Sequence, residues 1–336
     1  MGGSRAVRTG LGLIVALAAV EGLVRVAAPV MPEPTTWPSI ESDVKQEQIA
    51  ALSGPVDLVL VGSSVTEAAV DPALLEETLG LETVYNAALP WSSPLVNEIW
   101  YGEVVAPRIT PETLLIGLSP WPPDEGEGPL GVGIRRALDK GEGGLASWLK
   151  VFEKAGAIAD WDRLTERRAA KDRGPWTDRG HQTTYYRGAP EGAGEVEWAF
   201  GSEMSPDQRD GLERLIGTAT RDGTAVVLVV EPAAHPGRAG HRLAQEYVSR
   251  LAEHADRWGV ELWDTYSMGW DPSLFADRAH FNREGTTAYT KMLAELLAAQ
   301  RDAGLPRPRP HRSGRALLRS GGDPDDQVWP CCRVQT

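Results

Sequence analysis

Apolar residues follow two alternating rhythms along the chain. Short apolar-rich blocks at 56–61, 83–87, 113–118, 225–230 and 260–264 are separated by longer stretches whose apolar residues recur with helical spacing. In the first block Leu58, Val59, Leu60 and Val61 are contiguous rather than alternating, the pattern of a strand buried on both faces of a parallel sheet. The intervening stretches predict helices at 72–79, 94–105, 206–221, 238–258 and 282–300, and a polar helical stretch at 42–52 precedes the first strand. Strand, helix, strand is the βαβ alternation, so the expected class is α/β with a five-stranded parallel sheet.

The rhythm fails in the middle and at both ends. From Trp121 to about Ser205 it gives way to Pro/Gly turns, mixed charge and scattered tryptophans (Trp121, Trp148, Trp161, Trp176, Trp198), with helical spacing only at 145–165. A structureless loop of this length is out of place in a compact domain, which predicts an inserted lid or subdomain at about 121–205. At the amino terminus Arg5 and Arg8 precede an apolar run from Leu11 to Val20, and apolar character resumes from Gly22 to Val30. Two readings fit this segment. Cleavage of a signal peptide after the small residues Ala16-Leu17-Ala18 leaves a hydrophobic core of about five residues, shorter than such cores usually are. An uncleaved signal anchor spans about 20 residues and carries Glu21 and Arg25, which are spaced to pair on one helix face. The expectation is a transmembrane helix within 1–30, a proline-containing linker at 31–41 and a domain at 42–303, extracytoplasmic because the arginines stay inside. The segment 304–336, rich in Arg, Pro, Gly and Asp, is expected to be a disordered tail.

A formal charge of −13 argues against a nucleic-acid surface, which needs a basic stripe to displace counterions. The only cysteines, Cys331 and Cys332, are adjacent near the carboxyl terminus, so they offer no tetrahedral zinc site and leave the body compatible with either redox compartment. His235 and His241 lack the spacing of a helical metal-binding pair, and no glycine-rich nucleotide loop is present, so neither a metal nor a nucleotide cofactor is expected.

The candidate chemistry lies at strand ends. The first strand stops on Gly62-Ser63-Ser64, at the carboxyl edge where α/β sheets place their sites. Taken alone, this turn reads as a helix cap before it reads as a nucleophile position. Asp277 and His280, three residues apart just before the last helix, change the balance: the carboxylate can hold Nδ1–H and leave Nε2 free as a base. A strand-end serine supplies the nucleophile that this pair lacks.

With these blocks the chain resembles the SGNH or GDSL hydrolase superfamily, which has Gly-x-Ser after the first strand and Asp-x-x-His before the last helix. The resemblance spans about 56–300, interrupted by the insertion, and implies a three-layer α/β/α fold and esterase, deacetylase or O-acyltransferase activity. It assigns the nucleophile to Ser64, with the acid and base on Asp277 and His280, and gives Ser63 and Asn86 supporting places. It further implies an oxyanion hole formed by the N–H of Ser64, the N–H of Trp91 (where the family has Gly) and the hydroxyl of Ser119 (where it has Asn). An anchored, extracytoplasmic member implies O-acetyl groups of an envelope or exported polysaccharide as substrate. The rival expectation, which Trp91 and Ser119 motivate, is a non-catalytic binding or assembly component.

Overall fold

The computed structural model describes residues 3–27, 40–120, 176–183, 201–234 and 237–302. Most of the expected linker, most of the 121–205 insertion with Trp121, Trp148, Trp161 and Trp198, and the tail with Cys331 and Cys332 lie outside the described residues. The chain divides into two units, residues 1–43 with 132–174, and residues 44–131 with 175–336.

In the first unit α1 runs Gly3–Ala27, and Arg25 Nε donates to Glu21 Oε1 at 2.6 Å across one turn. Among the described residues no helix is long and apolar enough to cross a membrane. Helix α2, Ile40–Ala51, begins two residues earlier than the polarity pattern suggests, soon after Pro38 in the sequence.

The second unit is built on β1 (Val56–Val61), β2 (Val84–Asn86), β3 (Pro111–Leu118), β4 (Ala225–Val230) and β5 (Glu261–Asp264), all parallel in the order β2-β1-β3-β4-β5. The helices are α3 (Ser64–Ala69), α4 (Pro72–Leu79), α5 (Pro94–Trp100), α6 (Pro206–Arg221), α7 (Gly237–Trp258) and α8 (Arg283–Asp302). Helix α8 packs on α3 and α4, whereas α5 packs on α6. Right-handed crossovers put these groups on opposite faces of the sheet, which gives three layers. On the α8 face Leu58, Leu60, Leu115, Val227 and Val229 alternate along the strands into one cluster with Leu75, Phe275, Phe281, Tyr289 and Leu293.

The helix expected at 94–105 is α-helical only to Trp100. A π-turn follows at Tyr101–Val105, with Ala106 N–H donating to Tyr101 O at 2.8 Å. The wider turn lets the adjacent Trp100 and Tyr101 both be fully buried, and the Trp100 indole N–H donates to Ala87 O at 2.9 Å.

Chain order reverses between β2 and β3, which leave β1 on opposite sides. The carboxyl end of β1 is therefore a topological switch point, where sheets of this kind open a crevice.

Candidate active site

Ser64 is the first residue of α3, set at that switch point. Ser63 caps the helix, its Oγ accepting from Val65 N–H at 3.2 Å, which leaves the Ser64 hydroxyl as the candidate nucleophile of this turn. Gly62 is required by close approach, since a Cβ there would lie 1.8 Å from Thr66 Oγ1.

His280 and Asp277 stand at the tip of a tight loop between β5 and α8. Its base is closed by the Phe275–Phe281 bridge, with the two buried rings stacked at 4.4 Å. Asp277 Oδ1 accepts from the N–H groups of Ala279 and His280, both at 2.8 Å, an Asx-type turn that turns the imidazole toward its own carboxylate. Ala234 N–H donates to Arg278 O at 2.9 Å and ties the loop to the chain leaving β4. His280 Nδ1 is 2.8 Å from Asp277 Oδ2, and Nε2 is 2.9 Å from Ser64 Oγ. A carboxylate only accepts, so Nδ1 carries the hydrogen, and the Nε2 lone pair faces the serine hydroxyl. Burial by itself would raise the Asp277 carboxyl, but the bond and charge of His280 and the amides of Ala279 and His280 outweigh it and hold the group below its usual value.

The oxyanion positions inferred from the resemblance are differently furnished. Leu89 N–H donates to Gly62 O at 3.1 Å, and the Ser92 hydroxyl donates to the same oxygen, so the 89–92 turn is hooked beside the Ser64 turn. Between these anchors Trp91 sits at φ 58°, the left-handed region that β-carbons disfavour, and the residue is 88% exposed. The Ser119 hydroxyl is engaged: its Oγ lies 2.9 Å from Glu231 Oε2 and donates to that oxygen when the carboxyl is ionised. Asn86 supports the turn from below, Nδ2 donating to Thr66 O at 3.0 Å and Val70 O at 3.2 Å, and Oδ1 accepting from Ala88 N–H at 3.2 Å.

The pattern of the sequence does not point to several further residues. Lys45 on α2 and Glu67 on α3 form an ion pair at 3.0 Å with both side chains fully buried, and Lys45 Nζ also donates to Asn86 O and Ala88 O. Part of the expected insertion packs here. Trp176 Nε1 donates to Glu67 Oε1 at 3.1 Å, Gln182 N–H donates to Glu67 O, and Arg179 O accepts from Asn86 N–H. His181 is buried in the same place, and desolvation lowers its pKa, with Asp71 opposing that and Lys45 assisting it. Glu231, the residue directly after β4, is the one of these that a positional signal could have found, because it ends an apolar strand at the same sheet edge. Among the described residues no group of three or more His, Cys, Asp or Glu is arranged to hold a metal ion.

No family model matches the chain, and no curated protein matches it. Solved structures do. One is a lipase/acylhydrolase from Enterococcus faecalis, 16% identical over 76% of this chain and 100% of that chain, with a TM-score of 0.39. Another is a catalytic mutant of an acetylxylan esterase from Geobacillus stearothermophilus, 11% identical over 77% of this chain and 99% of that chain, TM-score 0.39. A GDSL-like lipase from Bacteroides thetaiotaomicron is 12% identical over 76% of this chain and 99% of that chain, TM-score 0.37. The chain is thus similar in outline to acylhydrolase, GDSL-like lipase and acetylxylan esterase structures, at identities where the chemistry has to be read from its own residues.

Proposed function

We propose that the chain is a serine-dependent enzyme of the SGNH/GDSL type acting on acyl esters. The observation that carries this reading is the continuous line of hydrogen bonds from Asp277 through His280 to Ser64 Oγ. His280 Nε2 takes the hydroxyl proton while Ser64 Oγ attacks the ester carbonyl, and Asp277 holds the imidazolium that results. The proton then passes from Nε2 to the leaving alkoxide, and an acyl-serine remains. Water releases the acid in a hydrolase; a sugar hydroxyl takes the acyl group in a transferase. The N–H groups of Ser64 and Trp91 are the backbone donors assigned to the oxyanion.

The substrate class within this proposal is O-acetyl esters of an envelope or exported polysaccharide, with the amino-terminal segment as a membrane anchor. The exposed Trp91 indole beside the nucleophile turn favours an acceptor with a flat apolar face, as a sugar ring has. A second reading, a binding or assembly component without turnover, draws on the Ser119 hydroxyl, which is engaged with Glu231. A fluorophosphonate probe separates them. The enzyme reading expects labelling of the wild-type protein and none of Ser64→Ala; an unlabelled wild-type protein, beside a control hydrolase that labels, sinks it.

A further inference from the structure

Glu231 is 1% exposed, and among the described residues it makes no ion pair. Its backbone N–H donates to Leu118 O at 2.9 Å, which fixes it at the end of β3. Its two carboxyl oxygens are each given a hydroxyl: Oε1 accepts from Thr66 Oγ1 at 2.5 Å, and Oε2 accepts from Ser119 Oγ at 2.9 Å. Thr66 is two residues beyond Ser64 on α3, and Ser119 is the residue after β3. The glycines at this edge exist for this chain of groups. A Cβ on Gly117 would lie 2.1 Å from Thr66 Oγ1 and 2.5 Å from Glu231 Oε1, and one on Gly62 would meet the same threonine oxygen. Burying a carboxyl without a cation costs several kcal/mol unless the group stays neutral, so an acid retained here calls for a chemical role.

The proton count supplies one. A serine hydroxyl has one hydrogen and cannot donate it twice. When Glu231 is ionised it accepts that hydrogen, and Ser119 can turn only lone pairs toward the site, which repel a developing oxyanion. When Glu231 is neutral, its own proton, carried on Oε2, is donated to Ser119 Oγ and releases the serine's hydrogen. We propose that Glu231 is a positioning residue that decides, through Ser119, whether the oxyanion hole holds a hydroxyl donor: the donor is present with a neutral Glu231 and withdrawn with an ionised one. The proposal rests on the acyl-ester reading and names a regulatory element of that same site.

Among the described residues the neighbouring groups leave Glu231 alone in the range that matters. Those facing it are the hydroxyls of Thr66 on α3 and Ser119 after β3, and the phenols of Tyr247 on α7 and Tyr289 on α8, both of which burial drives far above neutrality. Burial pushes Glu231 itself up to about 7, with the two hydroxyl bonds pulling the other way. Turnover assisted by Ser119 is therefore lost as pH rises through about 7.

The test is the pH profile of kcat for p-nitrophenyl acetate with the full-length protein, compared with Glu231→Gln. The glutamine amide can donate to Ser119 and accept from Thr66 at every pH, as the neutral acid does. The ratio of Glu231→Gln to wild-type kcat is expected to rise about tenfold between pH 6 and pH 8, following ionisation at about 7. In a Ser119→Ala background that rise disappears. Parallel profiles for wild-type and Glu231→Gln, or a rise that survives Ser119→Ala, overturn the proposal. Infrared difference spectra supply a readout that does not depend on turnover: the carbonyl band of a protonated carboxylic acid is expected to fade across the same pH range in wild-type protein and to be absent from Glu231→Gln. A titrating band with parallel profiles refutes the role of Glu231 alone. A wild-type protein that takes no fluorophosphonate refutes the acyl-ester reading, and the switch with it.

Discussion

Lys45→Met is expected to destabilise the protein strongly. The side chain is fully buried, and its Nζ makes bonds of 3.0 Å to Glu67 Oε1, 3.0 Å to Asn86 O and 2.5 Å to Ala88 O. Methionine fills a similar volume, so little of the effect comes from a cavity. Removing one partner of a buried ion pair costs about 3 to 5 kcal/mol, because the remaining charge stays desolvated. Two buried carbonyls that lose a donor add about 1 kcal/mol each. The sum, about 5 to 7 kcal/mol, corresponds to a fall in Tm on the order of 10 to 20 °C for a domain of this size. Urea unfolding followed by tryptophan fluorescence, with calorimetry for Tm, measures it. The partner substitution sharpens the result: Lys45→Met with Glu67→Gln should cost less than the two single changes added together, by about 2 kcal/mol. Lys45→Met within about 1 kcal/mol of wild type, or strict additivity in the cycle, would show that the pair does not bear on folding as its burial implies.

Ser64→Ala is expected to lower kcat about 10⁴-fold or more with no change in Tm beyond a degree or two, and Asp277→Asn by about 10² to 10⁴, since a half-exposed carboxylate shares its orienting work with the loop amides. Ester hydrolysis assays on folded protein check both, and an active Ser64→Ala refutes the assignment. Glu231 also carries a stability signature. Burial pushes its folded-state pKa up to about 7, from 4.5 for an ordinary glutamate, so the folded state holds the proton more tightly, and its contribution fades as pH rises from about 4.5 through about 7. The loss is about 3 kcal/mol at most, and Glu231→Gln should flatten the Tm-versus-pH curve in that window; an unchanged slope counts against a neutral buried acid. Trp91→Gly relieves a left-handed backbone at little cost in buried area, so it is expected to raise stability by about 1 kcal/mol while weakening KM for acetylated glycans, and a destabilised variant would contradict it. If the amino-terminal segment anchors the chain, alkaline carbonate will leave the protein in the membrane pellet, whereas release into the supernatant refutes an anchor.

The framework was legible because burial on both sides of a parallel sheet leaves a plain mark. The expected bounds of the helix at 206–221 and the strand at 225–230 match the observed elements residue for residue. Ser64, Asp277 and His280 could be picked out because each sits at a strand end or before a helix, and the structure brings the three within hydrogen-bond distance. Helix α3 was not foreseen, since six residues are too few to show periodicity and nearly all of them are buried. The Lys45–Glu67 pair left no trace either, because a lysine and a glutamate in helices ordinarily mean solvent. The resemblance makes Ser119 a donor, but the direction of its hydrogen depends on the charge of Glu231, more than a hundred residues further along the chain.

The returning stretch of the insertion has a consequence apart from chemistry. Strand β2 is an outer strand of the sheet and only three residues long. The Asn86 N–H on it is already taken by the Arg179 carbonyl, and Gly180 packs so closely that a Cβ there would lie 2.2 Å from Asn86 O. A strand from another molecule would have to displace this turn, along with the Arg179–Glu76 ion pair, before it could add to the sheet. The chain thereby guards that flank against intermolecular β-pairing, and cutting the insertion back past Trp176 should expose the protein to aggregation before it affects the fold.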